Sequence, residues 1–478
     1  MHSSAPTQRE IVLVVLLLTS LIFFFRNGTS VRHPTLDANF LDSEQASSHS
    51  EKSRLAIPPL PQNTRLSWGS ESVPRTRIVA HVPGWTIFDK MYVFNGTFYI
   101  VTDEPEVIPE RKYMISAGIP IVNGPEQAAA RLPTDKHMRV ITAEEAKKLF
   151  GTGANRMQGV TWLVNDPHQF ITHYYHWSAE LFFGFWRAYS TLDPLIPANG
   201  KTSLPPPRQL LFAHVDAGHW RDYASMNQWV LRTAFPSVKM EFSQDWEDRV
   251  AMGVPLVFDR ILIADRAAAI NGENFGRTQR TAAEPFALPG SPNWWSTYRN
   301  NVIEFSGLNS SVGEGTRGKP VITYISRQGW GRRMLIQEDH ERLVEELYRL
   351  RDEKGYEVNV VSMDKLSRIE QLQLAGRTTI MMGVHGNGLT SLIWMKPSPR
   401  STVMEFFFPG GFAHDYEYTT RALGMVHFGF WGDSAFTRPD VPPVAYPEGF
   451  QGNEIPIDGR VVARLIQERL TLADEADD

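Results

Sequence analysis

The chain has 478 residues, 42% hydrophobic and 21% charged, with 48 Lys+Arg against 53 Asp+Glu and a net charge of −5. That length holds two to three domains, and that much apolar material builds more than one core, which excludes a disordered chain. The absence of cysteine excludes disulfides, thiolate catalysis and Cys-built zinc sites, and a slightly acidic chain with no long basic run argues against nucleic acid as a partner.

Residues 1–10 precede the uncharged run IVLVVLLLTSLIFFF, Ile11 to Phe25. As a helix it reaches about 22 Å, less than the roughly 30 Å hydrocarbon slab. Bulky Leu21 to Phe25 follow Thr19 and Ser20, where signal cleavage needs small residues. The run is therefore expected to remain as a transmembrane signal anchor, with residues 1–10 as a cytoplasmic tail and the bulk of the chain in the secretory lumen. Sequons at Asn27, Asn95 and Asn309 fit that compartment, and Asn95 and Asn309 are the expected glycosylation sites of the body. Residues 26–75 are polar and aperiodic and read as a flexible stem.

An N-terminal α/β domain is expected over 76–308. Ile78 to Val82 and Lys90 to Val101 are strand-like, and Asn95-Gly96 marks a hairpin turn. Strands are predicted at Gly159 to Val164, Gln209 to Ala213 and Arg260 to Ala264. Helices are predicted from His173 to Leu192, His219 to Ala234 and Asn293 to Phe305, with a long surface loop over 266–290. The polar segment Asn309 to Lys319 is the expected boundary. A second domain over 320–440 alternates strands at Val321 to Ser326, Glu357 to Val361, Thr378 to Val384, Thr402 to Phe408 and Met425 to Phe430 with helices. Continuous apolar strands alternating with helices indicate a parallel, Rossmann-like sheet covered on both faces. Residues 441–478 form a C-terminal segment with a terminal helix.

Three constellations carry candidate chemistry. In Gly383-Val384-His385-Gly386-Asn387-Gly388-Leu389 a buried strand ends in glycines and a helix follows, a place where free N–H groups meet a phosphate; an ordinary tight turn is the alternative. This turn is neither a G-x-G-x-x-G nor a P-loop motif. Arg327, Arg332 and Arg333 follow the strand Val321 to Ser326, where they suit a diphosphate, or else form a solvated charge run. Glu405, embedded among apolar residues, needs a polar partner such as ribose hydroxyls or an arginine. On the helix from His173, positions 173, 176, 180, 184 and 187 share a stripe, and Glu180 can orient His176 as a general base; a structural ion pair is the alternative. His214, Asp216 and His219 add possible metal ligands. A metal-dependent hydrolase using these with His173 and His176, and an aromatic lectin-like module without catalysis, are the rival readings.

The motifs HYYHWSAELF (His173 to Phe182), ISRQGWGRR (Ile325 to Arg333), GVHGNGLTSLIWMKP (Gly383 to Pro397), VMEFFFP (Val403 to Pro409) and YTTRALGM (Tyr418 to Met425) occur in the order of glycosyltransferase family 61, which the chain resembles across residues 160 to 430. The resemblance implies a GT-B-like α/β fold, two Rossmann-like domains facing a cleft behind an N-terminal transmembrane helix and stem. It implies inversion at the anomeric carbon and a type II membrane protein of the Golgi or endoplasmic reticulum with a luminal catalytic part. It implies a nucleotide-sugar donor, UDP-xylose or UDP-N-acetylglucosamine being favoured, and a glycan or glycoprotein acceptor. By the same resemblance His385, Gly386, Asn387, Gly388 and Leu389 hold the donor diphosphate and nucleotide. Arg327 and Arg332, with Arg333 as a third, sit at the diphosphate, Glu405 at the ribose, and His176 and Glu180 supply the base. Asn387 at the third position of the turn, His173 and Gln337 depart from the family pattern and bear on the donor sugar. No D-x-D triplet occurs, so no divalent metal is expected.

Overall fold

The computed structural model describes residues 64–309 and 318–472. The run Ile11 to Phe25, Asn27 and most of the expected stem and boundary segment lie outside the described residues. Among the described residues no helix is long and apolar enough to cross a membrane. The body is mixed α/β with two sheets.

The first sheet contains β1 (Arg65–Ser67), β2 (Arg77–Val82), β3 (Trp85–Phe94), β4 (Thr97–Val101), β5 (Met138–Ile141), β6 (Gly153–Pro167), β7 (Gln209–His214), β8 (Lys239–Glu241) and β9 (Leu256–Ala264). Its order is β5-β4-β3-β9-β6-β7-β8, with β1 on β6 and β2 on β3. β6 runs parallel to both β7 and β9. The chain thus leaves β6 toward one side and returns at β9 on the other, and a crevice opens where the strand order reverses. The second sheet, β10 (Val321–Ile325), β11 (Glu357–Val361), β12 (Ile380–Val384), β13 (Thr402–Phe406), β14 (Val426–Trp431) and β15 (Ser434–Phe436), has the order β11-β10-β12-β13-β14-β15. All its pairs are parallel except β14 with β15. Its order reverses between β10 and β12. The strands VITYI, IMMGV and TVMEF are buried at every residue, as a sheet covered on both faces demands.

One aromatic core joins the two sheets. Trp162 stacks on Phe185 at 4.8 Å, Trp295 stacks on Tyr298 at 4.6 Å, and Trp394 lies 6.0 Å from Tyr298. Trp295 Nε1 donates to the Ile393 carbonyl at 2.8 Å, and Trp394 Nε1 to the Tyr174 hydroxyl at 2.8 Å. Arg299 Nε reaches the carbonyls of Trp394 and Met395 at 2.9 Å.

Four expectations change. Residues 64–75 are not stem: Arg65 pairs with Asn155, and Trp68 and Val73 are buried, because Trp68 Nε1 donates to the Gly151 carbonyl at 2.7 Å. The helix expected at His219 starts only at Met226, since Asp222 binds the backbone N–H of Ala224 and Asn227 and holds the preceding residues in a turn. The expected loop 266–290 is instead three short helical segments, Arg266–Ala269, Glu273–Thr278 and Thr281–Ala287, with Ala268, Ala269, Ala282 and Ala283 in the core. The helix from His173 is π-helical over His176–Phe182 and α-helical over Phe183–Tyr189. The predicted hairpin forms, with Asn95 (φ 48°) and Gly96 (φ 79°) as a left-handed two-residue turn.

Candidate active site

The loops after β10 and β12 meet at the second crevice. A Cβ on Gly386 would lie 2.7 Å from Arg327 Nη1, so the guanidinium rests directly on the backbone of the turn, and a larger residue there would displace it. At Gly388 a Cβ would come within 2.9 Å of Ile325 Cγ2. Arg327 Nε is buried without a hydrogen-bond partner, and burial, with Arg333 and Arg332 nearby, lowers its pKa. Arg333 donates to Gln451 Oε1 at 2.7 Å and to the His385 carbonyl at 3.4 Å. Arg332 is exposed. Asn387 Nδ2 donates at 2.8 Å to the hydroxyl of Tyr223 from the first half of the body. A cavity of about 280 Å³ lies here, lined by Tyr174, Tyr223, Arg327, Asn387 and Gly388 among others.

Two residues expected at the donor are elsewhere. Leu389 is 1% exposed and packs in the aromatic core. Glu405 has no exposed surface; Oε1 takes His385 Nδ1 at 2.6 Å and Oε2 takes His427 Nε2 at 2.8 Å. β13 lies directly beside β12, with Gly383 opposite Glu405, which aims the carboxylate beneath His385 rather than into the cavity. Glu405 therefore orients His385, and its complete burial keeps it from a ribose in the cavity.

The first crevice is built around Glu180. His176 Nδ1 sits 2.6 Å from Glu180 Oε2, Arg266 Nη1 donates to the same oxygen at 2.6 Å, and Arg280 Nη1 reaches Oε1 at 3.4 Å. Arg266 also donates its backbone N–H to Asp166 Oδ1 at 2.7 Å. Burial alone would raise the Glu180 pKa, but Arg266, His176 and Arg280 outweigh it and hold the carboxyl well below the usual range. A carboxylate so held accepts protons poorly. Its partner is better placed: with Nδ1–H on the carboxylate, the remaining lone pair of His176 is on Nε2, and the side chain keeps 25% of its surface open. His173, in the bend before the helix, is neutral because burial, helped by His176, lowers its pKa to about 4. Gly184 and Arg187 do not join the stripe. Gly184 lies against the Trp85 ring, and Arg187 binds the Leu288 and Pro289 carbonyls, because the π-helical turn rotates the rest of the helix away from the crevice.

Asp415, at the start of the helix His414–Ala422 after β13, ties the crevices together. It accepts from Arg280 Nη1 at 2.9 Å, and burial notwithstanding, Arg280, His385 and His176 lower its pKa. Tyr175 donates its hydroxyl to the Asp415 carbonyl at 2.8 Å. A series of rings, His176 to Tyr175 at 5.4 Å, Tyr175 to Tyr416 at 5.2 Å and Tyr416 to His385 at 5.5 Å, runs the same way from the imidazole to the residue before the glycine turn. Sequence reasoning missed Asp166, Arg266, Arg280 and Asp415. Asp166 and Arg266 had a signal, a charged residue where a buried strand ends; Arg280 had none. The metal-site reading is not met. Among the described residues no group of three or more His, Asp or Glu could hold a metal ion; His214 bonds Asn165 at 3.0 Å, and His219 pairs with Asp216 at 2.5 Å on the surface. Asn95 and Asn309 are both exposed.

Ligands of open α/β sheets gather where strand order reverses, and the body has two such points, with Arg327 beside the glycine turn at one and the oriented imidazole of His176 in the helical turn after β6 at the other. That arrangement, in a mixed α/β body with parallel strands, fits a Rossmann-like glycosyltransferase. Residues 167–404 match the model of the family described as Glycosyltransferase 61, and the chain belongs to that family. No curated protein matches the chain at a significant level.

Proposed function

We propose that the chain is an inverting glycosyltransferase of GT-B architecture that moves a sugar, xylose or N-acetylglucosamine, from a UDP-sugar to a hydroxyl of a glycan or glycoprotein. The observation that carries the reading is the guanidinium of Arg327 lying on the Gly386 backbone, unmatched by any carboxylate among the described residues. Such a group suits a diphosphate. In the proposed step His176 Nε2 takes the proton of the acceptor hydroxyl while its oxygen attacks the anomeric carbon from the face opposite the leaving group. The bond from that carbon to the phosphate oxygen breaks, and its electron pair leaves with UDP. Arg327, Arg332 and Arg333 and the N–H groups of the turn at 386–388 meet the developing charge, so the step requires no divalent cation. Glu180 stays ionised, fixes the tautomer of His176 and stabilises the imidazolium. Attachment to the Golgi or endoplasmic reticulum membrane through residues 11–25, with the body luminal, belongs to the same proposal.

The test uses the full chain, UDP release from a UDP-sugar panel and equilibrium binding of UDP. His176→Ala is expected to cut turnover about 10²–10⁴-fold and leave UDP affinity unchanged. Arg327→Ala is expected to weaken UDP and pyrophosphate alike by about tenfold or more. Unaltered UDP binding by Arg327→Ala removes the diphosphate assignment, and full turnover by His176→Ala removes the base.

A further inference from the structure

The cavity beside Arg327 extends past β10 toward the end of β11, and its far wall contains Met363, Asp364, Leu366, Arg368 and Gln371. No sequence motif marks any of them. β11 and β12 flank β10 on either side, so their carboxyl ends stand about 10 Å apart, two strand spacings. That is the reach of a nucleotide from its diphosphate to its ribose and base.

The far wall is held rigidly. Gln371 Nε2 donates to the carbonyls of Met363 and Leu366 at 2.8 and 3.1 Å, and Ser367 caps the helix Arg368–Arg377 with Glu370 as its capping-box partner. On this frame stand two groups of opposite kind. Asp364 is exposed, and its carboxylate is braced by the Ser362 hydroxyl. It accepts hydrogen bonds only, as a ribose diol requires. Arg368 has its Nε buried without a partner, and its guanidinium meets no carboxylate among the described residues. Arg266 and Arg280 also have an Nε without a hydrogen bond, but their terminal nitrogens meet carboxylates, Glu180 for the first and Glu180 and Asp415 for the second, and Arg187 meets carbonyls. A buried donor left unmatched is costly, and an acceptor oxygen supplied by a ligand removes the cost. The floor between them, Ile325, Met363 and Leu366, is apolar, and the rings of Tyr223 and Trp330 stand at the mouth.

Resting on the reading of the cleft as a nucleotide-sugar site, we infer that Asp364 binds the ribose hydroxyls of the donor and that Arg368 reads a keto oxygen of its base. The donor base is then one with a keto oxygen, such as uracil or guanine, and not adenine, whose ring carries an amino group and no keto oxygen. The role the family resemblance gives to Glu405 falls to Asp364, which follows the second strand of its sheet as the acidic ribose ligand of dinucleotide-binding folds does.

Calorimetric binding to the full chain tests this with UDP, 2′-deoxy-UDP, GDP, ADP and pyrophosphate. The unsubstituted protein is expected to prefer UDP or GDP over ADP, and the preferred ribonucleotide over its 2′-deoxy form by about tenfold. Asp364→Asn should erase the ribose discrimination and leave pyrophosphate binding within twofold. Arg368→Met should erase the preference over ADP with the ribose discrimination intact. Asp364 is on the surface, so its variant is expected to fold, and retained pyrophosphate binding reports that it has. If the unsubstituted protein binds UDP but Asp364→Asn and Arg368→Met discriminate as it does, the inference is overturned while the nucleotide-sugar reading stands. If no nucleoside diphosphate binds the unsubstituted protein at all, both fall.

Discussion

At the carboxyl ends of β6 and β9, Glu180 and Asp166 meet Arg266, Asp415 meets Arg280, and Asp265 takes the N–H of Ala268 and the amide of Asn165. At the carboxyl ends of β10 and β11, Arg327 and Arg368 line the cavity, with Arg332 and Arg333 near the first, and none of the four has a carboxylate partner among the described residues. The first crevice is electrostatically closed and presents a single oriented imidazole. The second is open and calls for an anion. On the proposed function, similar topology serves two tasks: a self-compensated network fixes the orientation of a base, and an uncompensated one leaves its charge for the substrate.

The comparison breaks most visibly at Arg266. Arg266→Met leaves Glu180 and Asp166 buried without their cation, and a loss of about 3–5 kcal/mol in denaturant-measured stability is expected; a loss below about 1 kcal/mol would show the network to be dispensable. Glu405→Gln probes the other side more gently. It deprives His385 and His427 of a shared carboxylate, and UDP affinity should drop about tenfold while the preference for ribose over 2′-deoxyribose persists. Loss of that preference would return Glu405 to the ribose. The smallest effect separates the network from ordinary acid sensitivity. Burial lowers His81 from 6.5 to about 4, so below pH 6.5 the unfolded chain takes a proton that the native chain refuses. Stability contributed by that neutral ring is lost as pH falls through this window. Glu180 behaves differently: its carboxyl stays ionised below the unfolded carboxylate range, so its contribution is lost only at lower pH still. His81→Gln keeps a partner for Thr86 Oγ1, which His81 Nδ1 meets at 2.9 Å, and cannot titrate. Its melting temperature should fall less than that of the unsubstituted protein between pH 7.5 and 5, by about 2 °C.

The second sheet was readable because strands covered on both faces are continuous apolar runs, and the join of the glycine turn with Arg327 followed from strand, loop and helix order alone. The first crevice was half readable. His176 and Glu180 stood out by spacing, yet the stripe extended wrongly to Gly184 and Arg187, because the spacing assumed an α-helix where the turn is π-helical. Residues 266–290 are rich in Gly, Asn and Ala, which reads as surface, and tertiary packing of Ala282 and Ala283 overrode that composition; Arg280 was lost with it. Asp364 and Arg368 left no periodic trace, since a side chain beside a strand end acquires its meaning only from the groups the neighbouring strand brings.

The shared aromatic core also bears on turnover. Parting the halves at Trp295, Tyr298 and Trp394 would strip three nearly buried rings and the bonds of Arg299 at once, at roughly 2–3 kcal/mol for each ring. Tyr223, Trp330 and Tyr446 are 68%, 45% and 60% exposed, and the first two rim the cavity. Tyr223 is nevertheless held by the Asn387 amide at 2.8 Å, and the Arg327 guanidinium lies 5.5 Å over the Trp330 ring. The mouth of the cavity is thus fastened to the same turn and the same arginine that line its inside.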